Sequence, residues 1–198
     1  MTPDAYPEQV LALRPLAGEA ERSLVLAVQR GNEEAFRELY EAYRKPIWAL
    51  TLSLVGDRLQ AQDILQNIFF KVYRGLDGFR FQAGLYTWIY QIALNECRNH
   101  LRKRSAPLVP LDAILGSRDE IDLTQATDRP NARRASLLEA VTRLPIKMRE
   151  VIVLKYVEDL SYKEISRILR CPPGTVASRL NRALAELEVR LRPSRAGS

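Results

Sequence analysis

The sequence predicts an all-α protein built from two small helical domains, and three observations support this. Apolar residues recur at the spacing of one helix face, as in Phe36, Leu39, Tyr40 and Tyr43. No alternating run is long enough to predict a sheet. Residues 105–132 mix prolines, acids and small polar residues without a sustained apolar face. Because such a long connector is uncommon inside one compact domain, it predicts an extended acidic linker between two domains.

Capping residues and glycines mark the helix limits in the N-terminal half. Asn32 is suited to cap the first long helix. Asp57 and Gln60 have the spacing of a capping box, which predicts the start of another helix, and Gly75 ends it. The loop LDGFRFQAG then leads into a long helix predicted from about residue 85 to residue 104.

The C-terminal half is predicted to hold a helix-turn-helix. Pro145 can open a helix, where its missing N–H costs nothing. Ser161 and Glu164 form a second capping box, and a Cys-Pro-Pro-Gly corner precedes the last helix. That helix is amphipathic. Its predicted apolar stripe comprises Val176, Leu180, Ala183, Leu184, Leu187 and Leu191.

Charge is distributed unevenly along the 198 residues, which carry a formal net charge of +6. Residues 20–104 are net +4 and residues 133–198 are net +7, whereas residues 1–19 are net −2 and residues 105–132 are net −3. Two basic blocks therefore flank an acidic linker. Basic blocks favour polyanionic partners such as nucleic acid or an anionic membrane.

Several function classes find no support in the sequence. Cys97 and Cys171 lie far apart, so free thiols in a reducing compartment are expected. No basic-then-apolar leader opens the chain and no apolar run approaches the roughly 20 residues that span a bilayer, which predicts a cytoplasmic protein. There is no phosphate-binding loop, zinc spacing or nucleophile motif, and His100 is the single histidine. We expect no enzyme activity, no catalytic or metal-binding residues, no cofactor and no small-molecule substrate.

The segment LSYKEISRILRCPPGTVASRLNRALAEL, residues 160–187, predicts binding to duplex DNA. In a helix-turn-helix the first helix crosses the DNA backbone and the second enters the major groove. Arginine can hold phosphates or bind guanine with two hydrogen bonds. An ordinary helical hairpin with a solvated basic face is the alternative. The candidate DNA contacts are Lys163, Arg167, Thr175, Ser178, Arg179 and Arg182.

Residues 144–187, which extend this segment to LPIKMREVIVLKYVED at its start, resemble region 4 of the extracytoplasmic-function (ECF, group 4) sigma factors of bacterial RNA polymerase. The resemblance implies that the six candidates read the promoter −35 element, and they are called the −35 surface below. Three positions depart from the family pattern. Ala177 stands where a basic residue is usual, Asn181 replaces His or an aromatic residue, and Arg170 replaces a small or polar one. Ala177 removes an expected phosphate contact that Arg170 is able to replace.

The N-terminal half resembles region 2 of the same family. LVLAVQRGNEEAFRELYEAY is similar to region 2.1 and DRLQAQDILQNIFFKVYRGLDGFR to region 2.2. The resemblance implies that the second segment docks on the clamp helices of the polymerase β′ subunit. An ordinary core helix with a polar outer face fits the same periodicity. The candidate contacts, called the polymerase surface below, are Asp63, Gln66, Asn67 and Phe70.

FRFQAGLYTWIYQIALNECRNHLRKR resembles regions 2.3 and 2.4, which implies recognition and opening of the −10 element. Aromatic rings beside amides and basic groups can stack a base, read its edge and hold phosphates. Asn95, a poor helix former in mid-helix, matches a DNA-contacting position of the family. Core packing of the aromatics and pairing of the basic run with the helix dipole are the alternatives. The candidate contacts, called the −10 surface below, are Phe79, Arg80, Phe81, Tyr86, Trp88, Asn95, Arg98, Asn99 and Arg102.

The resemblance implies a sigma factor that binds core RNA polymerase at the β′ clamp helices and the β flap, recognises both promoter elements and melts DNA without nucleotide hydrolysis. Control by an anti-sigma factor is common in this group, and the family's linker threads the active-centre cleft of the polymerase. The rival interpretations are a stand-alone helix-turn-helix regulator and an enzyme with a DNA-binding tail. The predicted parts are an N-terminal extension (1–20), region 2 (21–104), the linker (105–132), region 4 (133–192) and a tail (193–198).

Overall fold

The structure is a computed structural model that describes residues 18–105 and 129–191, with side chains described for residues 18–103 and 136–191. These residues form helices and no strand, so the all-α prediction is confirmed for them. None of these helices is long and apolar enough to cross a membrane. Predictions for residues 1–17, for linker residues 106–128 and for residues 192–198 lie outside the described residues. The helices are α1 (Glu19–Gln29), α2 (Glu33–Val55), α3 (Arg58–Leu76), α4 (Leu85–Ser105), α5 (Arg129–Thr142), α6 (Ile146–Tyr156), α7 (Tyr162–Leu169) and α8 (Pro173–Leu191).

Helices α1 to α4 form the N-terminal domain, and two of their starts follow the predicted caps. The Asn32 side chain accepts a hydrogen bond from the Ala35 amide at 3.1 Å, and the Asp57 side chain accepts one from the Gln60 amide at 2.9 Å. Both bonds satisfy amides that a helix N-terminus would otherwise leave unpaired. Pro46 lies inside α2, and the helix continues through it. The sequence therefore located these two helix starts correctly.

The core of the N-terminal domain lies between α2, α3 and α4. Tyr43 of α2, Ile68 of α3 and Leu94 of α4 are buried there. At Gly75, close to the end of α3, a Cβ atom would lie 2.9 Å from Cζ2 of Trp88. Because close-packed atoms do not approach each other so nearly, glycine is what lets the Trp88 ring pack against α3 at this point.

Helices α5 to α8 form the C-terminal domain, in which α7 and α8 are the helix-turn-helix. The Ser161 hydroxyl accepts a hydrogen bond from the Glu164 amide at 3.3 Å, and the Glu164 carboxylate accepts one from the Ser161 amide at 2.9 Å. The predicted capping box is therefore confirmed. Arg170 ends α7 with a left-handed backbone (φ 51°), which is uncommon for a residue other than glycine.

The apolar stripe of α8 is narrower than predicted. Its buried positions are Val176, Leu180, Ala183 and Leu187. Leu184 and Leu191 are 40% and 39% exposed, so their assignment to the inward stripe is wrong. Leu184 directly follows a buried position and therefore lies about 100° further round the helix. Leu191 is the last residue of α8 and lies beyond the last buried position of that helix.

The two domains contact each other. Helix α2 packs against α5 and α6, and α4 packs against α7. Helix α5 begins at Arg129, before the boundary predicted at Arg133. Sequence reasoning anticipated two domains but not this contact, which is called the domain seam below: α2 and α4 form one side, and α5, α6, α7 and the loop between α6 and α7 form the other.

Candidate nucleic-acid and polymerase surfaces

The −35 surface lies on α7 and α8. Its exposed members are Lys163, Arg167, Ser178 and Arg182, and its half-buried members are Thr175 and Arg179. None of its four cations forms an ion pair with another described residue. The Arg179 guanidinium lies 3.9 Å from Sγ of Cys171, and the Ser178 hydroxyl donates to the Thr175 carbonyl oxygen at 3.1 Å. The surface is therefore a positive patch that can bind phosphates.

The −10 surface begins in the loop between α3 and α4, where aromatic rings form a cluster. Phe79 is buried, with its ring centroid 5.1 Å from that of Phe81 and 5.0 Å from that of Trp88. Phe81 has a left-handed backbone (φ 56°), and the Arg22 guanidinium carbon lies 4.7 Å from its ring centroid. Arg80 is exposed. Burial keeps Phe79 away from any base in this conformation, whereas Arg80 is accessible.

Two tyrosines of α4 pack on each other. The ring centroids of Tyr86 and Tyr90 are 4.1 Å apart, and Tyr90 is fully buried. The Tyr90 hydroxyl donates a hydrogen bond to the carboxylate of Glu158, which lies in the loop between α6 and α7. Burial raises the pKa of Glu158 to about 7 and also raises the pKa of Tyr90. The domain seam therefore contains a carboxyl group that titrates near neutral pH.

The polar residues at the C-terminal end of the −10 surface have two different environments: three of them face solvent and one contacts the other domain. Asn95, Asn99 and Arg102 are exposed. Arg98 instead contacts Glu150 of α6: its Nε and one terminal nitrogen donate to the two carboxylate oxygens at 2.5 and 2.8 Å. The Glu150 side chain is 1% exposed and that of Arg98 is 38% exposed. This hydrogen bonding raises the pKa of Arg98, so the guanidinium is held in its charged form by the other domain.

An open cleft of about 800 Å³ separates the loop after α3 from α7. Arg80, Arg167 and Arg170 line it together with Trp88 and Gln91. Arg170 donates a hydrogen bond to Oε1 of Gln91 at 2.7 Å, and Gln91 donates one to the Arg167 carbonyl oxygen at 3.1 Å. The cleft therefore brings members of the −10 and −35 surfaces side by side.

The polymerase surface forms an exposed stripe along α3. All four of its predicted members are exposed, and Phe70 exposes 59% of its surface. Leu59 and Tyr73, which sequence reasoning missed, expose 77% and 49%. Both lie at helical spacing on the same face as Asp63 and Gln66. The sequence signal for Leu59 and Tyr73 was that neither residue is in register with the buried apolar positions of α3. Exposed apolar residues that cluster on one face are a feature of protein-binding surfaces.

Sequence reasoning also missed the two acids that face α4, Glu150 and Glu158. The available signal for Glu150 was its position directly before the apolar run VIVL, which suggests that the carboxylate is buried. A buried charge needs a partner, so a cation from another helix could have been expected there. Both cysteines are free thiols, as predicted, and His100 lies 2.7 Å from Oε1 of Gln60. Within residues 18–105 and 129–191, no group of His, Cys, Asp and Glu side chains is arranged to hold a metal ion.

Comparison with known proteins gives two family matches in chain order. The family described as Sigma-70 region 2 matches residues 39–106, and the family described as Sigma-70, region 4 matches residues 134–187. The RNA polymerase sigma-H factor of Pseudomonas aeruginosa is 33% identical over 189 residues, which cover 90% of this chain and 97% of that protein. The ECF RNA polymerase sigma-E factor of Escherichia coli strain K12 is 34% identical over 181 residues, which cover 86% of this chain and 93% of that protein.

A solved structure is also similar to this fold. The sigma factor RpoE of Bartonella quintana, crystallised with the anti-sigma factor NepR, matches with a TM-score of 0.63 and 25% identity, over 81% of this chain and 98% of that chain. These matches confirm the resemblance that the sequence motifs indicated. The chain belongs to the extracytoplasmic-function group of the sigma-70 family of RNA polymerase sigma factors.

Proposed function

We propose that the chain binds core RNA polymerase and directs it to promoters through their −10 and −35 elements. The observation that carries this proposal is the separation of the three surfaces along the chain: the polymerase surface lies on α3, the −10 surface on α4 and the loop before it, and the −35 surface on α7 and α8. Because no residue belongs to two surfaces, one chain has separate groups for protein and for both DNA elements.

The polymerase surface combines an exposed ring with polar groups. Phe70 can fill an apolar pocket of a partner, while Asp63 and Gln66 supply a carboxylate and an amide at its rim. This composition is typical of a protein interface. The family resemblance assigns the β′ clamp helices as its partner. By family resemblance, the C-terminal domain is assigned the contact with the β flap of the polymerase.

The two DNA surfaces have different tasks. The cations of the −35 surface can hold phosphates of duplex DNA and read guanine in the major groove. At the −10 element, Asn95 and Arg102 offer an exposed amide and guanidinium to an unpaired strand. Capturing unstacked bases offsets the cost of melting, so no nucleotide hydrolysis is required of this chain. It acts as an initiation factor rather than an enzyme, in the cytoplasm with the polymerase, without a cofactor or a small-molecule substrate.

An anti-sigma factor is a further proposed partner. The Bartonella quintana sigma factor whose fold this chain shares was crystallised with the anti-sigma factor NepR. Control by such a partner would explain how a chain with an exposed positive −35 surface is kept from promoters until it is needed.

Run-off transcription on fragmented genomic DNA of the native host tests the function. Core polymerase is incubated with and without the chain, and the transcript 5′ ends are sequenced. We expect 5′ ends that occur only with the chain and that share a common pair of upstream elements. If the chain adds no transcripts but binds duplex DNA tightly alone, the stand-alone regulator interpretation replaces this one.

A second measurement tests the polymerase surface by itself. Asp63→Ala should weaken the affinity for core polymerase, because it removes a charged contact, while the helical content of the chain stays unchanged. Asp77→Ala, at the exposed C-cap of the same helix, is the matched control and should bind like the wild type. An equal loss for both variants would contradict the assignment of this surface.

A further inference from the structure

We propose that α1 positions the α3–α4 loop (residues 77–84) for the −10 element through three of its side chains, Glu21, Arg22 and Gln29. They are positioning residues, because they contact the loop and its two ends rather than the DNA. The inference rests on the proposed function, since it takes this loop as part of the −10 surface. It gives a role in promoter reading to a helix that contributes no residue to any of the three surfaces.

Gln29 holds the start of the loop. Its side-chain amide donates hydrogen bonds to the carbonyl oxygen of Leu76 at 2.8 Å and to that of Phe79 at 3.0 Å. An amide nitrogen carries two N–H groups, so both bonds form at once. Leu76 is the last residue of α3, where a helix leaves carbonyl oxygens without an intrahelical donor. One side chain of α1 therefore ties the end of α3 to the first turn of the loop.

Arg22 holds the middle of the loop at Phe81. It lies seven positions before Gln29 and therefore on the same face of α1. Its guanidinium carbon is 4.7 Å from the centroid of the Phe81 ring, which is a cation–π distance. Phe81 has a left-handed backbone (φ 56°), a conformation that persists in a residue with a side chain only where its surroundings hold it. Arg22 and the Phe79 ring, whose centroid is 5.1 Å from that of Phe81, supply such contacts.

Glu21 holds the end of the loop. Gly84, directly before α4, has no side chain that could cap this helix. Instead, Oε1 of Glu21 accepts a hydrogen bond from the Leu85 amide at 2.8 Å. This amide is one of those that a helix N-terminus leaves unpaired, and the helix dipole favours a carboxylate there. Helix α1 thus supplies the cap that the local sequence lacks.

The three contacts give the loop an inner and an outer side. Phe79 is buried and Phe81 is half-buried, whereas Arg80 and Gln82 are exposed and line the open cleft beside the loop. A loop that is already ordered loses less conformational entropy when it binds a ligand. Holding the loop from α1 therefore lowers the free-energy cost of presenting Arg80 and Gln82 to an unpaired DNA strand.

Hydrogen exchange detected by NMR tests the holding of the loop in the full chain, free of polymerase and DNA. The amides of Gly78 and Phe79 donate to carbonyl oxygens of α3, so their exchange reports on opening of the loop. Gln29→Met keeps the length of the side chain but removes both donors, and these amides should exchange roughly tenfold faster while those of α8 stay unchanged.

Two further variants make the exchange result specific. Gln29→Lys places an ammonium donor at a similar reach and should restore slow exchange. Ser23→Ala, at an exposed position of α1, is the control and should exchange like the wild type. Unchanged exchange at Gly78 and Phe79 in Gln29→Met would overturn the proposal.

Transcription from two forms of one promoter tests whether this positioning serves the −10 element. The promoter is a fragment found by the run-off experiment, used as a full duplex and with the template strand altered so that the −10 element is already unpaired. With core polymerase, Arg22→Gln and Gln29→Met should lose about tenfold on the duplex and no more than about twofold on the unpaired form, where the cost of melting is already met. Arg30→Gln removes an exposed charge at the C-cap of α1 and should match the wild type on both.

Failure of this inference and failure of the proposed function give different results. If the wild-type chain directs no transcription, the proposed function is rejected, and hydrogen exchange in the free chain still decides whether α1 holds the loop. If the wild type is active and both α1 variants lose equal activity on the two promoter forms, or lose none on either, positioning of the loop for the −10 element is overturned.

Discussion

The −35 and −10 surfaces have similar chemistry but different surroundings. Arg179 and Arg182 of the −35 surface form no ion pair with another described residue, whereas Arg98 of the −10 surface is held by the buried carboxylate of Glu150. The cause is position: α8 presents its cations to solvent, while one side of α4 lies in the domain seam. The difference teaches that the availability of a candidate DNA contact depends on where the other domain lies as well as on the type of residue.

The largest difference between the two surfaces is expected in stability. Arg98→Ala leaves Glu150 buried without its cation and should lower the free energy of unfolding by about 2–3 kcal/mol, less than for a fully buried pair because Arg98 is 38% exposed. Arg182→Ala should change it by no more than about 0.5 kcal/mol. Urea unfolding of both variants checks this. Equal losses of unfolding free energy in the two variants would mean that the ion pair of Arg98 with Glu150 does not stabilise the fold.

A pH dependence is the next largest effect. The pKa of Glu158 is about 7 in the folded chain, against an ordinary value of 4.5. The folded state therefore binds the proton of the Glu158 carboxyl group more tightly than the unfolded state does. The stability that this protonation contributes is fully present below pH 4.5 and is lost as the pH rises to about 7. The loss is on the order of 2 kcal/mol after allowing for partial exposure.

Thermal unfolding between pH 4.5 and about pH 7, which are the ordinary and shifted pKa values of Glu158, measures this effect. Glu158→Gln should remove the decline, and Glu139→Gln, which alters an exposed carboxylate, should retain it. Parallel curves for the wild type and Glu158→Gln would show that this carboxyl group is not buried in the seam.

Arg182→Ala should have a smaller effect that appears only in function. Promoter-dependent transcription should fall about fivefold, on the order of 1 kcal/mol for a lost contact to DNA. Affinity for core polymerase should not change, because Arg182 belongs to the −35 surface on α8 and not to the polymerase surface on α3. Arg190→Ala is the control, since Arg190 pairs with Glu186 in the last turns of the same helix. A matching loss of polymerase affinity would contradict separate surfaces.

The smallest effect is expected at the cap of α7. Ser161→Ala removes the hydroxyl that accepts from the Glu164 amide and should cost about 0.5–1 kcal/mol of unfolding free energy. Ser178→Ala should cost less, because its hydroxyl bonds only to a carbonyl of its own helix. Differential scanning calorimetry ranks the two variants. If Ser178→Ala lowers the unfolding free energy more than Ser161→Ala does, the capping box does not stabilise the helix-turn-helix that carries the −35 surface.

Local features of the fold could be predicted from the sequence because their causes lie within a few residues. Asn32, Asp57 and Ser161 all cap helices by bonding to an amide three positions later. The exposed face of α3 and the basic face of α8 likewise follow from helical spacing. Family resemblance then supplied the expected roles of these surfaces.

The domain seam could not be predicted, because it depends on contacts between residues far apart in the chain. Arg98 and Glu150 are 52 positions apart, and Arg149 and Leu54 are 95 apart. Periodicity carries no information about such pairs. It also misjudged Leu184, because the width of an apolar stripe is decided by how many neighbouring helices cover it. Hence helical spacing could propose candidate residues on α4, but it could not show that the C-terminal domain contacts Arg98.

The close approach at the end of α2 has a consequence for how this chain can vary during evolution. Gly56 meets two requirements: a left-handed backbone (φ 80°) and room for Cγ2 of Thr142. Asparagine tolerates the first but carries the Cβ that the second forbids. Gly56→Asn should therefore be acceptable only with a smaller residue, such as Ser or Ala, at position 142. Relatives that keep the two domains in contact should show these two positions changing together.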